Sequence, residues 1–235
     1  MNFISANSEG RRLVASGIYH YFLGGQDTGI RESWASYQLS DGSEIIRVER
    51  DAAAYRSRIA LDIYQHDDQI SKIEIQWQNQ NPGLVQSAQA FYHFHADSLT
   101  ISRVCDDHPY KETYQLPPGM LVSPLMRVTM GPLILKLVEM DTASVLIPDI
   151  RDAQNPGTLL SAHVEERQAK YLEADPIQIA DQHYDTHRYQ YTGDLYTEAA
   201  KFWVDPSTKI LMRYAYPQTD TDLWVIELHH FQQFV

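Results

Sequence analysis

Cysteine is almost absent from this chain of 235 residues. Cys105 is the only one, so no internal disulfide can hold the fold together. Long apolar runs are also lacking: the longest candidate, 120–140, is interrupted by prolines and basic residues, so no unbroken apolar stretch reaches the roughly 18–20 residues that span a bilayer. The first twelve residues show neither the basic start nor the apolar run of a secretory signal. We therefore expect a soluble protein in the cytoplasm, with no membrane span.

Basic residues are in deficit, with 19 Lys and Arg against 31 Asp and Glu and a net charge of −12. This balance argues against a protein that follows nucleic-acid phosphates or docks on anionic membranes, so no nucleic-acid partner is expected. The sequence also has no phosphate-binding glycine motif and no Gly-x-Ser-x-Gly elbow. Two acidic neighbours would raise the pKa of the Cys105 thiol and make it a poor nucleophile. Whether the protein is an enzyme, and whether it holds a cofactor, stays open.

Two-residue alternation is the dominant pattern in what is present. In 71–77 the residues Ile73, Ile75 and Trp77 alternate with polar ones, and 58–65 and 44–50 behave in the same way. Such half-buried strands are typical of antiparallel sheets, because strands covered on both faces are apolar throughout. Turn clusters of Gly, Asn, Asp and Pro separate these runs. The predicted strands are 12–23, 30–39, 44–51, 57–65, 70–78, 86–96, 99–104, 159–170, 184–193, 197–204, 209–216 and 222–231.

Twelve strands are too many for a flat open sheet. The sequence therefore predicts a mainly β fold, either a single strongly curved antiparallel sheet or an unclosed β-barrel, with one or two short helices near residues 120–140. We expect one β-rich domain, 1–235, with two lobes of about 1–116 and 141–235 joined by 117–140. The spacing of apolar residues favours a helix over about 120–130 that Pro132 ends. A buried crossover strand or linker is the alternative for this segment.

Aromatic residues recur on single faces of the predicted strands, as in the pairs Tyr19 and Tyr21, and Tyr189 and Tyr191. Such rings either pack a sheet or line a concave cavity that a curved sheet cannot fill. In the second case the tyrosine hydroxyls would orient a ligand that is held by apolar contact. The candidate lining residues are Tyr19, Tyr21, Trp34, Trp77, Phe91, Trp203, Met126 and Met130.

Histidines offer a separate possibility. His93 and His95 are two residues apart and so share a strand face, which is how metal-binding barrels present nitrogen ligands. A metal site would need a third ligand, for example His183 or His187. Two partly exposed surface histidines are the simpler interpretation of the pair.

The C-terminal third contains the run Lys201-Phe202-Trp203-Val204-Asp205-Pro206-Ser207-Thr208, followed by Arg213. This hairpin resembles the corresponding one in the LolA/LolB-like lipoprotein-carrier superfamily and its uncharacterised relatives. The resemblance implies a curved, unclosed antiparallel barrel with short helices on its concave face, where many such carriers bind acyl chains. It would also place 120–140 as the helical plug.

These observations favour a binding protein for a hydrophobic small molecule, held in an aromatic-lined concave pocket. An enzyme that uses His93 and His95 for acid–base or metal chemistry is a second hypothesis. A scaffold or assembly protein with a packed interior and no small ligand is a third. The oligomeric state cannot be inferred from these patterns.

Overall fold

The computed structural model describes residues 11–193, 196, 200–219 and 222–234, and seventeen strands lie within these ranges. The strands are β1 (Arg11–Leu23), β2 (Gln26–Leu39), β3 (Glu44–Ala52), β4 (Ser57–His66), β5 (Gln69–Asn79), β6 (Ser87–Phe94), β7 (Ser98–Cys105), β8 (His108–Gln115), β9 (Leu121–Val122), β10 (Ala143–Pro148), β11 (Ala162–Ala174), β12 (Ile177–Ile179), β13 (Gln182–Tyr184), β14 (His187–Thr192), β15 (Lys201–Val204), β16 (Leu211–Pro217) and β17 (Leu223–Gln233). One α-helix, α1 (Met130–Met140), and two 3-10 turns, Ala53–Tyr55 and Arg127–Thr129, complete the fold.

Fifteen of the strands form one sheet in the order β8-β7-β6-β5-β4-β3-β2-β1-β17-β16-β15-β14-β11-β10-β9, and β12 and β13 form a separate pair. Every pairing in the large sheet is antiparallel except that of β9 with β10. The sheet is therefore two strand meanders that meet where β1 pairs with β17. The predicted mainly β, antiparallel and unclosed fold is confirmed, whereas the division into two lobes stays a prediction.

The sheet curves until its two ends touch without pairing. The Tyr92 hydroxyl on β6 donates a 2.5 Å hydrogen bond to the carbonyl of Leu160, which lies between β10 and β11 at the far end of the strand order. The Arg103 guanidinium on β7 reaches the Leu159 carbonyl at 2.6 Å. These bonds come from side chains and do not pair one strand with another. Among the described residues, β8 and β9 therefore each keep one edge without a strand partner.

Alternating side chains build the core as the sequence predicts. Ile59, Leu61 and Ile63 on β4 are buried, as are Ile73 and Ile75 on β5, and the residues between them are more exposed. The main strands that the sequence pattern did not predict are β8, β10 and the short strands β9, β12 and β13. The predicted strand 197–204 lies partly outside the described residues, and its described end forms β15.

A short helix between 120 and 140 is confirmed, but the prediction that it ends at Pro132 is wrong. The helix α1 begins at Met130 and carries Pro132 in its first turn. Proline is tolerated there because first-turn N–H groups have no partner within a helix. Gly131 lets the helix approach the turn before β16: a Cβ at this residue would lie 2.0 Å from the Lys209 carbonyl oxygen. Among the described residues, no helix has the length and apolar character needed to cross a membrane.

Candidate functional site

A cavity of about 580 Å³ lies between the two meanders, and we call it the arginine cavity. Strands β1, β2 and β3 form one wall, and β10, β11, β14, β16 and β17 form the other. The segment before α1 contributes Arg127 to the lining, and the first residue of α1, Met130, also lines the cavity. The name refers to four arginines on its walls: Arg50, Arg127, Arg151 and Arg167.

Aromatic side chains make up much of the lining. Strand alternation explains how they arrive there, since Tyr214 and Tyr216 are two residues apart on β16 and therefore point to one face. The Tyr196 ring contacts Tyr191 edge-on, with 5.0 Å between the centroids, and Tyr216 at 5.5 Å. The aromatic members of the wall are Tyr21, Tyr191, Tyr196, Tyr214, Tyr216 and Trp224.

A buried carboxylate fixes one end of this cavity. Glu32 is fully buried and accepts hydrogen bonds from the Tyr21 hydroxyl at 2.6 Å, from Arg50 Nε at 2.9 Å and from the backbone N–H of Arg127 at 2.5 Å. Arg50 also donates to the Leu125 carbonyl at 2.8 Å. Burial, with a smaller contribution from Glu32, raises the pKa of Tyr21 to about 12, so its hydroxyl stays protonated. The network ties the segment before α1 to the sheet.

The Arg127 side chain is held differently. Its guanidinium carbon lies 5.0 Å from the centre of the Tyr214 ring, a cation–π contact. Its Nε is buried and finds no hydrogen-bond acceptor among the described residues. Arg127 is thus positioned by its backbone and by the neighbouring tyrosines Tyr196 and Tyr214 rather than by a carboxylate.

The positive charges of the arginines on this wall affect the pKa of Tyr196. Arg167 lies over its ring, with 4.9 Å from the guanidinium carbon to the centroid. Burial raises the pKa of the Tyr196 hydroxyl, but the positive charges of Arg127 and Arg167 and hydrogen bonds to Arg127 and Tyr214 outweigh burial and leave it below the usual 10. The neighbouring Tyr214 shifts in the opposite direction: burial, followed by Tyr196, raises its pKa.

A second cavity of about 590 Å³ lies beside α1. Helix residues Leu133 and Lys136 line it, together with Ile70 of β5, Phe94 of β6 and Leu121 of β9. The Lys136 ammonium donates to the Asp68 carbonyl at 3.1 Å. Met130 lines the arginine cavity and Pro132 lines the second one, so the segment 128–136 separates the two.

The structure brings two of the sequence-predicted lining residues, Tyr21 and Met130, to the arginine cavity. Tyr19, Trp34, Trp77 and Met126 lie in the buried core, where the Tyr19 hydroxyl donates to the Leu211 carbonyl at 2.8 Å. Tyr19, Trp34 and Trp77 have the inward direction that strand alternation predicts, and Met126 lies in the segment before α1. They pack against other side chains instead of facing the open space.

Phe91 and Trp203 lie on neither cavity wall. Phe91 is exposed because its β6 neighbours Ala90 and Tyr92 take the inward face. Trp203 alternates with the buried Phe202 and donates from Nε1 to Asp175 Oδ2 at 2.8 Å. Both placements follow from the alternation of side chains between the two faces of a strand.

The two strand histidines stay on the surface. His93 is exposed on β6, and His95, also exposed, lies at the wall of the second cavity. Within the described ranges, no group of three or more His, Cys, Asp or Glu side chains is arranged to hold a metal ion.

Sequence reasoning missed the arginines. Arg50 follows the buried Val48 at a spacing of two, and Arg167 precedes the buried Ala169 at the same spacing. An arginine at the parity of core residues is a signal that was available in the sequence. Arg127 lies between the buried Met126 and Val128 and could be noticed only as a charge in an apolar segment.

No family model matches the sequence, and no match was found among curated proteins. The fold is similar to that of a solved structure, the β-barrel-like protein of domain of unknown function DUF1849 from Brucella abortus. The two chains are 10% identical, with a TM-score of 0.55, and the match covers 96% of this chain and 100% of the other. At this identity the similarity establishes a β-barrel-like fold alone. The relationship to LolA/LolB-like carriers is not confirmed.

Proposed function

We propose that the protein binds a hydrophobic small molecule in the arginine cavity. The observation that carries the proposal is the cavity itself: about 580 Å³ of open space lined largely by aromatic and apolar side chains on the concave face. This volume lies within the range of about 300–1,000 Å³ of known ligand sites, which are mostly apolar with a few polar groups. A filled sheet interior would leave no such space.

The polar groups on the cavity wall are suited to orienting a ligand rather than to supplying most of its binding affinity. The Tyr21 hydroxyl is already bonded to Glu32, whereas Tyr196 and Tyr216 place further hydroxyl-bearing rings around the same space. Burial of apolar ligand surface, at about 25 cal/mol per Å², would supply most of the affinity. Tyrosine hydroxyls and guanidinium groups would then select the orientation of the ligand.

As part of this proposal, we regard the chain as a distant relative of the LolA/LolB-like carriers. The resemblance of the C-terminal hairpin to those carriers implies an unclosed barrel with a helix on its concave side. The proposal of ligand binding rests on the cavity and does not require this relationship.

N-phenyl-1-naphthylamine, an uncharged probe whose fluorescence rises in apolar surroundings, tests the proposal. We expect saturable binding of one probe molecule per chain. In parallel, native mass spectrometry after incubation with a lipid or metabolite extract should show a retained ligand that the probe displaces. Unsaturable probe fluorescence, together with only empty protein across broad extracts, would overturn the proposal.

A further inference from the structure

Charge pairing within the arginine cavity is uneven. Three of its four arginines lie within 4 Å of a carboxylate: the pairs are Arg50 with Glu32, Arg151 with Asp149, and Arg167 with Glu165. In the described part of the chain, Arg127 has no carboxylate within that distance. Arg127 is therefore the arginine of this wall that has no counter-ion among the described residues.

Leaving a guanidinium without an anionic partner in a poorly hydrated site is unfavourable. Arginine stays protonated in proteins, so it cannot avoid the cost by losing its proton. A buried donor without an acceptor is destabilising, and Arg127 Nε is such a donor among the described residues. An anionic oxygen of a ligand would satisfy the charge and the donor together.

The geometry holds Arg127 ready for such a partner. Its backbone N–H is anchored on Glu32, and its guanidinium lies over the Tyr214 ring. A side chain fixed before binding loses less conformational freedom when the ligand arrives. Burial raises the pKa of Tyr196, but the positive charge of Arg127 acts on the same hydroxyl and contributes to lowering it.

We infer that the ligand of the arginine cavity is an amphipathic anion, whose carboxylate, sulfonate or phosphate group binds the Arg127 guanidinium while its apolar body packs on the aromatic wall. This inference rests on the proposed function and narrows it to a class of ligand. The apolar body is required because Ile147, Trp224 and Ile226 surround the same space. A free inorganic anion would leave these side chains uncovered.

A matched pair of probes separates the two parts of the inference. 8-Anilinonaphthalene-1-sulfonate has the ring system of N-phenyl-1-naphthylamine with one added sulfonate. We expect the sulfonate probe to bind the unmodified protein more tightly, and its affinity, unlike that of the neutral probe, to fall as salt rises. Inorganic phosphate alone should compete weakly. Phosphate that binds as tightly as the sulfonate probe would contradict the amphipathic ligand.

Substitution of Arg127 tests the assigned contact. Arg127→Gln should weaken the sulfonate probe by about 10- to 100-fold, because bonds to charged groups contribute about 1.5–3 kcal/mol, and leave the neutral probe nearly unchanged. Arg127→Lys should retain part of the preference. Arg213→Gln is the control: it removes the same charge from the opposite face of β16, where Arg213 pairs with Glu227 at 2.6 Å.

The outcomes distinguish the inference from the proposed function. If neither probe binds saturably, the proposed function fails. If both probes bind with equal affinity, and Arg127→Gln changes neither, the protein binds hydrophobic ligands but the anionic group is refuted. If Arg127→Gln does not fold, Arg127→Lys and the salt dependence of the unmodified protein decide: a sulfonate affinity that is insensitive to both contradicts the inference.

Discussion

The two cavities are nearly equal in volume, at about 580 and 590 Å³, yet their walls differ in chemistry. The arginine cavity joins six aromatic rings to four guanidinium groups. The second cavity has Phe94 as its one large ring among the described residues, apart from the exposed imidazole of His95, and Lys136 as its one Lys or Arg. Its other charged members are Asp68 and Asp97.

Volume alone therefore does not identify a ligand site in this molecule. A cavity whose aromatic wall also holds a cation with no counter-ion among the described residues has a reason to bind a ligand, because the ligand would improve contacts that those residues leave incomplete. In the second cavity, Lys136 also has no carboxylate within 4 Å among the described residues, but its ammonium donates to the Asp68 carbonyl in a solvent-exposed hydrogen bond. The following predictions test this difference, from the largest expected effect to the smallest.

The largest effect is expected at the wall that both cavities share. Gly131→Ala places a Cβ against the Lys209 carbonyl oxygen at 2.0 Å, so α1 must move away from β16. We expect a loss of about 3 kcal/mol in the free energy of unfolding, measured by urea denaturation. Val138→Ala, on the exposed side of the same helix, should cost less than about 1 kcal/mol. Equal losses would mean that the helix is not packed as described.

Glu32→Gln alters the arginine cavity alone. The change leaves the Arg50 guanidinium without its carboxylate partner, and we expect the free energy of unfolding to fall by about 2–3 kcal/mol. Affinity for the sulfonate probe should rise, because a second cation becomes available. Glu74→Gln, in the more exposed pair with Lys72 at 2.6 Å, should change stability by less than about 1 kcal/mol and leave binding as it was.

Two matched isoleucines distinguish which cavity takes the neutral probe. Ile147 on β10 and Ile70 on β5 are both half-buried, and each lines one cavity. Ile147→Trp should fill part of the arginine cavity and weaken N-phenyl-1-naphthylamine binding by about tenfold, whereas Ile70→Trp should not. A loss of binding in Ile70→Trp alone would assign the ligand to the second cavity.

The smallest effect concerns the seam where β1 pairs with β17, which joins the two meanders. His20 and His229 stack there with 4.2 Å between the ring centroids. Burial, and then His229, lowers the pKa of His20 from 6.5 to about 4. The unfolded chain therefore takes up a proton near pH 6.5, where the folded chain does not, and stability should fall as the pH drops from about 6.5 to about 4.

Because the His20 ring is partly in water, we expect the loss to be on the order of 1 kcal/mol. Urea denaturation at a series of pH values measures it. His20→Gln should flatten this part of the profile, and His66→Gln, at the exposed end of β4, should not. A His20→Gln profile identical to that of the unmodified protein would contradict the shifted pKa.

The strands were largely predictable because burial on one face imposes a period of two, as in Ile59, Leu61 and Ile63. The charged edge strand β8 was missed: its exposed residues show no apolar period. The position of the helix could not be predicted from Pro132, because a proline that ends one helix is equally compatible with the first turn of another, where it costs no intrahelical hydrogen bond. The local sequence pattern thus predicted which segments form strands, but not the residue at which the helix of the linking segment begins.

The candidate site was only partly predictable. Parity along β1 correctly directs Tyr21 inward, but it cannot separate a residue that faces open space from one packed in the core, as with Tyr19 and Trp34. That difference depends on which strands face each other across the curve. Arg127 illustrates the limit, because distances between residues far apart in the sequence decide that no described carboxylate lies within 4 Å of its guanidinium.

A crystal structure of the protein with bound 8-anilinonaphthalene-1-sulfonate tests the central claim most directly. We predict one probe molecule inside the arginine cavity, with its rings against Trp224 and Ile147 and its sulfonate within hydrogen-bond distance of the Arg127 guanidinium. A probe seated only in the second cavity or on the outer face of the sheet, with the arginine cavity empty, would contradict the account.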